Sequence, residues 1–225
     1  MDILLIYGLI GLSLIIVTAS QAYINSAYRK YSKVNNHKGM TGKEAARLML
    51  DKNDLKNVKI EEVQGYLSDH YDPRSKTVRL STNNYHDASI AAVSVACHEC
   101  GHAIQDKKGY IFLRIRHSLV PLVNLASKLG YLAIMIGIIA QLIDLVWLGI
   151  IFEVVILVFQ LVTLPVEFNA SSRALKQINE LSILDQKELR QGKTMLTSAA
   201  LTYVASVAAT LIEIVRLILM FTRRD

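Results

Sequence analysis

Four long apolar stretches divide the chain, covering residues 3–24, 119–140, 146–164 and 195–221. Runs of roughly 20 apolar residues are long enough to cross a bilayer as helices. The second and third are joined by a short link around Asp144 and read as a transmembrane hairpin. The last is rich in Ala, Ser and Thr, which suits close helix packing in a membrane. Between the first and second stretches the pattern changes. Thr41 followed by Glu44 is a capping-box signature, opening a helix to about Asp51. Residues 58–63 and 77–81 alternate like strands, while Asp69 to Arg74 reads as a loop with Pro73 in a turn. The spacing therefore predicts a small β-hairpin or ribbon. A run of small apolar residues, 88–96, then predicts a helix buried on most sides, with Asp87 as its N-cap. Lys107, Lys108 and Gly109 end that helix. After the hairpin, Pro165 fits the start of a new helix that stays polar from Glu167 to about Gln191.

Composition agrees with a membrane protein. Of 225 residues, 52% are hydrophobic, and the mean hydropathy is +0.32. The net charge of +6 comes from Lys and Arg beside the apolar runs, without interleaved aromatics. That pattern suits membrane flanks and argues against nucleic acid as a partner. Arg29, Lys30, Lys33 and Lys38 follow the first run, so the positive-inside rule puts the N-terminus outside and the next segment in the cytoplasm. The hairpin link lacks Lys and Arg while its inner flanks carry them, which agrees. Arg223 and Arg224 after the last run would lie outside, against the rule. A signal peptide fits the first run poorly, because Asp2 stands where a basic n-region is expected.

The expected fold class is mainly α: about four multipass membrane helices with a small α+β metallopeptidase core. The expected organisation is a transmembrane helix at 1–26 and a catalytic domain at 27–118. A transmembrane hairpin at 119–164 follows, then a second catalytic helix at 165–192 and a C-terminal transmembrane helix at 193–225.

The chemistry concentrates at Cys97-His98-Glu99-Cys100-Gly101-His102. Residues four apart share a helix face, so His98 and His102 can both reach one metal ion. Glu99 can reach a water at that metal without ligating it. Two His ligands, a carboxylate base and an open coordination position make a zinc hydrolase pattern. Cys97 and Cys100 are the only cysteines, which excludes a disulfide framework, and a zinc ribbon would need a second pair. Both thiols read as small packing residues rather than a redox centre.

A catalytic zinc needs a third protein ligand. A metzincin would have Gly at position 105 and His at 108; Gln105 and Lys108 exclude that class. Among the remaining histidines, His117 lies at a membrane boundary, where a kink would be needed to bring it back. Glu167 follows the hairpin's return and so falls on the same side as His98 and His102. A Glu near a helix start is equally explained by the helix dipole, and the residues alone leave both readings open.

Several segments together carry a family resemblance: 70–74 (HYDPR), 78–81 (VRLS), Tyr85, 89–92 (SIAA), 98–105 (HECGHAIQ), 164–168 (LPVEF) with Ala170 and Ser171, and 200–205 (ALTYVA). Over nearly its whole length the chain resembles the neutral zinc metallopeptidases of the bacterial YugP-like family. The layout is also similar to HtpX-like membrane gluzincins and to minigluzincins. The resemblance implies one Zn2+ per chain held by His98, His102 and Glu167, with Glu99 as general base. It implies a cell-membrane protease with its active site on the cytoplasmic side, acting on peptide or membrane-protein substrates. Ser171 stands where HtpX-like proteins have Asp, and Asn169 replaces an acidic residue.

In the implied mechanism a zinc-activated water attacks the peptide carbonyl while Glu99 carries its proton to the leaving amine. Tyr85, His86, Arg173 and Tyr203 are candidates for contacting the oxyanion or substrate. An edge strand ahead of the metal helix could pair with extended substrate, though the pattern equally fits a strand with no such role. Two alternatives stand beside this one: a non-enzymatic membrane binding protein with a structural or degenerate metal site, and a zinc hydrolase of a non-peptide amide. Glu153, Glu213 and Arg216 fall inside apolar runs, where charges pair or face a cavity; Arg216 is expected to pair with one of the two glutamates.

Overall fold

The computed structural model describes residues 3–222; Asp2, Arg223 and Arg224, used above in reading the flanks, lie outside the described residues. The chain is mainly helical, with a small sheet. Its elements are α1 (Ile3–Tyr31), α2 (Gly42–Lys52), β1 (Lys59–Val63), β2 (His70–Asp72), β3 (Thr77–Ser81), α3 (Thr82–His86), α4 (Ile90–Lys107), α5 (Ile111–Ile139), α6 (Ile143–Glu180) and α7 (Gln186–Thr222). They form two compact units. One contains the chain up to Gln21, Arg114–Leu164 and the chain from Leu201. The other contains Ala22–Leu113 and Pro165–Ala200.

Helices α1, α5, α6 and α7 are each long and apolar enough to cross a membrane. In the first unit α5 and α6 pack closely where a side chain is missing. A Cβ on Gly137 would meet Val146 Cγ2 at 2.7 Å, so glycine permits the approach. Val146, Ile150, Ile214, Leu217 and Phe221 form an apolar cluster. Arg216 pairs with Glu213, one turn away on α7, and Arg216 Nε donates to Glu213 Oε2 at 2.8 Å. Of the two glutamates open to it, Arg216 is thus joined to the local one.

The second unit is built around α4. The expected capping box is present at α2, with Thr41 and Glu44 exchanging backbone bonds. Helix α2 lays Ala45, Ala46, Met49 and Leu50 against α4, and all four are buried. Helix α4 is buried along most of its length because its side chains are small. Its N-cap is Ser89, whose hydroxyl accepts the Ala92 N–H at 3.1 Å, not Asp87. The short helix α3 intervenes, and Asp87 is its C-cap.

The sheet has the order β1-β3-β2, with β1 parallel and β2 antiparallel to β3. The central strand β3 is largely buried on both faces. Residues His70–Asp72 are a strand rather than a loop. Three residues are too few to show alternation, and the turn-forming Asp69 and Pro73 bracket them. Two links pin β2 and its turn to α4: Tyr71 Oη donates to Asp106 Oδ2 at 2.6 Å, and Lys76 Nζ reaches the same oxygen at 2.6 Å.

Pro165 does not open a helix. Helix α6 runs through it to Glu180, since a long helix with packed neighbours tolerates one missing N–H donor. The expected polar helix to Gln191 is instead interrupted at residues 181–185. There the Ile183 N–H bonds back to the Ile178 carbonyl at 2.9 Å and Ser182 adopts φ 52°.

Cys97 and Cys100 are fully buried in this core, and burial pushes the Cys97 thiol up to about 12 and the Cys100 thiol upward as well. Thiolate is the reactive form. At neutral pH the folded protein in detergent should therefore resist iodoacetamide at both positions, with labelling only after denaturation. Rapid native labelling, read by mass spectrometry, would contradict this packing.

Candidate metal centre

Helix α4 presents His98 and His102 on one face, with ring centroids 4.8 Å apart and planes at 84°. The last part of α6 presents Glu167 to them. Glu167 Oε2 lies 3.2 Å from His98 Nε2 and 3.6 Å from His102 Nε2. Ligand atoms of all three lie within 4.8 Å of one another, and Glu167 is almost completely buried.

Two helix backbones must nearly touch for this to happen. A Cβ on Gly101 would lie 2.6 Å from the Ala170 carbonyl oxygen. Gly101 therefore lets α4 and α6 approach to backbone contact, which brings donors on the two helices within reach.

The far sides of both rings are held. His98 Nδ1 meets Ser171 Oγ at 3.1 Å, so the hydroxyl occupies the place expected for an Asp. His102 Nδ1 faces Gln105 Oε1 at 3.0 Å. The Gln105 amide cannot be reversed, because its nitrogen donates to the Val166 carbonyl at 2.8 Å and to Asn169 Oδ1 at 3.0 Å. Asn169 is fixed in turn, since Oδ1 also accepts from Arg173 Nε at 2.7 Å, and a guanidinium only donates. An amide oxygen only accepts, so His102 Nδ1 carries the proton. In the neutral ring, Nε2 is then a lone pair aimed at the Glu167 carboxylate. Facing lone pairs repel unless a cation lies between them. Two imidazoles and a carboxylate are also a donor set that zinc takes in catalytic sites. The arrangement fits such an ion.

Glu99 is buried beside His98. Burial pushes its carboxyl up to about 7; Glu167 and Asp69 push the same way, while His98 and a bond from the Tyr71 backbone oppose them. A carboxyl poised near neutrality suits proton transfer.

The other residues singled out from the sequence are more scattered. Arg173 belongs to the chain that fixes His102. His86 Nε2 lies 3.1 Å from Glu62 Oε2, and its ring packs against Tyr85. Tyr85 also has Lys43 Nζ over its ring at 4.9 Å. Tyr203 and His117 belong to the other unit. Gln105 and Asn169 carry more of the site's order than the motif suggested. The available signal was spacing: Gln105 lies one turn beyond His102, and Asn169 one turn before Arg173.

A second cluster, His37 with Asp185 and Glu188, could also bind a metal by distance. Its carboxylates are already occupied in capping α7. Glu188 accepts the His37 N–H at 2.7 Å and the Asp185 N–H at 2.8 Å, and Asp185 accepts from Lys187 and Glu188.

Because a backbone carbonyl cannot retreat from a new methyl group, Gly101→Ala should force α4 and α6 apart. The expected loss is about 1–3 kcal/mol of stability, read as a lower denaturation midpoint in detergent. An unchanged midpoint would refute the close approach.

Comparison with known proteins adds the family. The family described as "Putative neutral zinc metallopeptidase" matches residues 6–222. "Putative membrane protease YugP" of Bacillus subtilis (strain 168) is 44% identical over 202 residues, covering 90% of this chain and 90% of that protein. No solved structure matches. With membrane-length helices, a His/Glu donor cluster and a match along nearly its full length, the chain belongs to the neutral zinc metallopeptidase family.

Proposed function

We propose that this protein is a membrane-embedded zinc endopeptidase in which His98, His102 and Glu167 hold one zinc ion and Glu99 is the general base. The observation that carries the proposal is the convergence of His98 Nε2 and His102 Nε2 on the Glu167 carboxylate, with the far side of the His102 ring held by Gln105. Zinc bound there would acidify a water and polarise the scissile carbonyl. Glu99 takes the water proton and passes it to the leaving amine. Ser171 and Gln105 hold the two imidazoles in register, and Arg173 acts through Asn169 on Gln105 rather than on substrate. Segments 27–118 and 165–192 form the catalytic part, and segments 1–26, 119–164 and 193–225 anchor it. The compact unit of Ala22–Leu113 with Pro165–Ala200 supports that division. The basic residues after the first apolar run support a site on the cytoplasmic face.

Elemental analysis of detergent-purified protein tests the ligand set. Wild type should carry about one zinc per chain, and Glu167→Ala should lose it while remaining folded. Full zinc retention in that variant would overturn the assignment. Glu99→Gln should keep zinc while cleavage drops by about 10²–10⁴-fold; cleavage at the wild-type rate would remove Glu99 from the mechanism. Gln105→Leu should weaken zinc binding by about 10–100-fold in chelator competition, because His102 loses its orienting partner. Unaltered affinity would sink that role for Gln105.

A further inference from the structure

Three helices of the second unit meet around a small cavity of about 80 Å³. Asn53, the C-cap of α2, lines it, with Ile104 and Lys108 at the end of α4 and Arg173, Lys176 and Gln177 on α6. Ile104 and Lys108 are four residues apart, and Lys176 and Gln177 stand three and four beyond Arg173, so each helix turns one face to the cavity. A single water needs about 10–15 Å³ and a drug-sized ligand about 300–1,000 Å³, so this space suits a small ion.

The lining is basic: three cations, two amides and Ile104, with no carboxylate. The groups that would ordinarily engage these cations are served by others. The carbonyls at the end of α4 accept backbone N–H groups, Ile104 that of Lys108 at 3.0 Å, Gln105 that of Tyr110 at 2.9 Å and Asp106 that of Gly109 at 3.0 Å. Lys107, not Lys108, serves the end of α2 and donates to the Asn53 carbonyl at 2.6 Å. The two amides hold each other, Asn53 Nδ2 donating to Gln177 Oε1 at 2.7 Å. Lys176 keeps a loose pair with Glu180 at 3.7 Å, and both side chains are exposed. Arg173 is half-buried and uses only Nε, on Asn169. Among the described residues, Arg173 Nη1 and Nη2 and Lys108 Nζ meet no acceptor.

Like charges gathered around one space repel unless an anion lies among them. A phosphate-type oxyanion offers several acceptor atoms, and the paired Nη groups of an arginine match two of its oxygens. We propose that this cavity binds a phosphate group, with Arg173 and Lys108 as its main donors and Lys176 at its rim. Two sources carry that chemistry: the headgroup of an anionic phospholipid and free phosphate. Lys108 stands three residues before Ile111, where α5 begins with exposed apolar side chains at Ile111 and Phe112. The cavity is therefore close to an apolar surface of the kind that lipid covers. Arg173 is shared between two tasks. Its Nε anchors the chain through Asn169 and Gln105 to His102, which leaves its other nitrogens for the anion.

The test uses the full-length protein in neutral detergent, with two probes. Inorganic phosphate is titrated against chloride at equal ionic strength and read as the denaturation midpoint. Phosphatidylglycerol is offered against phosphatidylcholine, and its retention is read by native mass spectrometry. A midpoint raised by phosphate supports the site with free phosphate as its source; preferential retention of phosphatidylglycerol supports it with lipid as the source. Lys108→Glu with Lys176→Glu should raise the concentration needed for half the effect by about ten-fold, as expected of two reversed charges facing an anion. Should that pair fold poorly, Lys108→Gln with Lys176→Gln should give a smaller rise in the same direction. The same reversal at Lys33 and Lys187, exposed lysines outside the lining, should leave binding unchanged. Zinc content should be the same in all of these variants, because none of the four lysines belongs to the chain that ends at His102. Binding of neither probe would overturn the proposal. So would binding that survives the reversal at Lys108 and Lys176, or that falls equally with Lys33 and Lys187, which would reduce it to the general attraction of a basic membrane flank.

Discussion

The contact between the backbones of α4 and α6 at Gly101 and Ala170 governs the second unit. Helices normally keep 8–10 Å between their axes, because side chains stand between them. Here one position has none. The approach lets short polar side chains do what longer ones would do elsewhere: the Ser171 hydroxyl reaches an imidazole, and the Gln105 amide reaches a main-chain carbonyl of the facing helix. The small residues along α4 serve the same end on its other side, where Ala45, Ala46 and Met49 of α2 press in.

A buried polar group must find partners or destabilise the fold. Around the donor cluster this rule yields a directed chain. Arg173 can only donate, so Asn169 must accept, so Gln105 must donate to it, so His102 must donate to Gln105. One obligate donor at the edge thereby dictates a proton's position on a ring two residues removed. The asparagine at 169, acidic in the expected pattern, loses nothing in this chain, because the acceptor atom is what the chain uses.

Much of this was legible in the residues. The four apolar stretches, the capping box at Thr41, two of the three strands and the pairing of His98 with His102 follow from period and spacing. Glu167 lay within reach of such reasoning only as one of two readings, because a carboxylate near a presumed helix start has a local explanation. That presumption failed at Pro165: the proline signal is strong in isolation, yet packing keeps the helix intact. Strand β2 was hidden by its length. The roles of Gln105 and Asn169 were hidden for a different reason. Spacing hints at their neighbours His102 and Arg173, but the bonds that join Gln105 to Val166 and Asn169 span more than sixty residues, and no local pattern encodes a bond of that range.

Glu167 shares one helix with Ala170, whose carbonyl touches Gly101, and with Ser171. A residue inserted between Glu167 and Ala170 would turn the carboxylate about 100° around the axis and shift it by about 1.5 Å relative to that contact. No loop stands between the two to absorb the change, so the length of this short segment is as constrained as the identity of its glutamate.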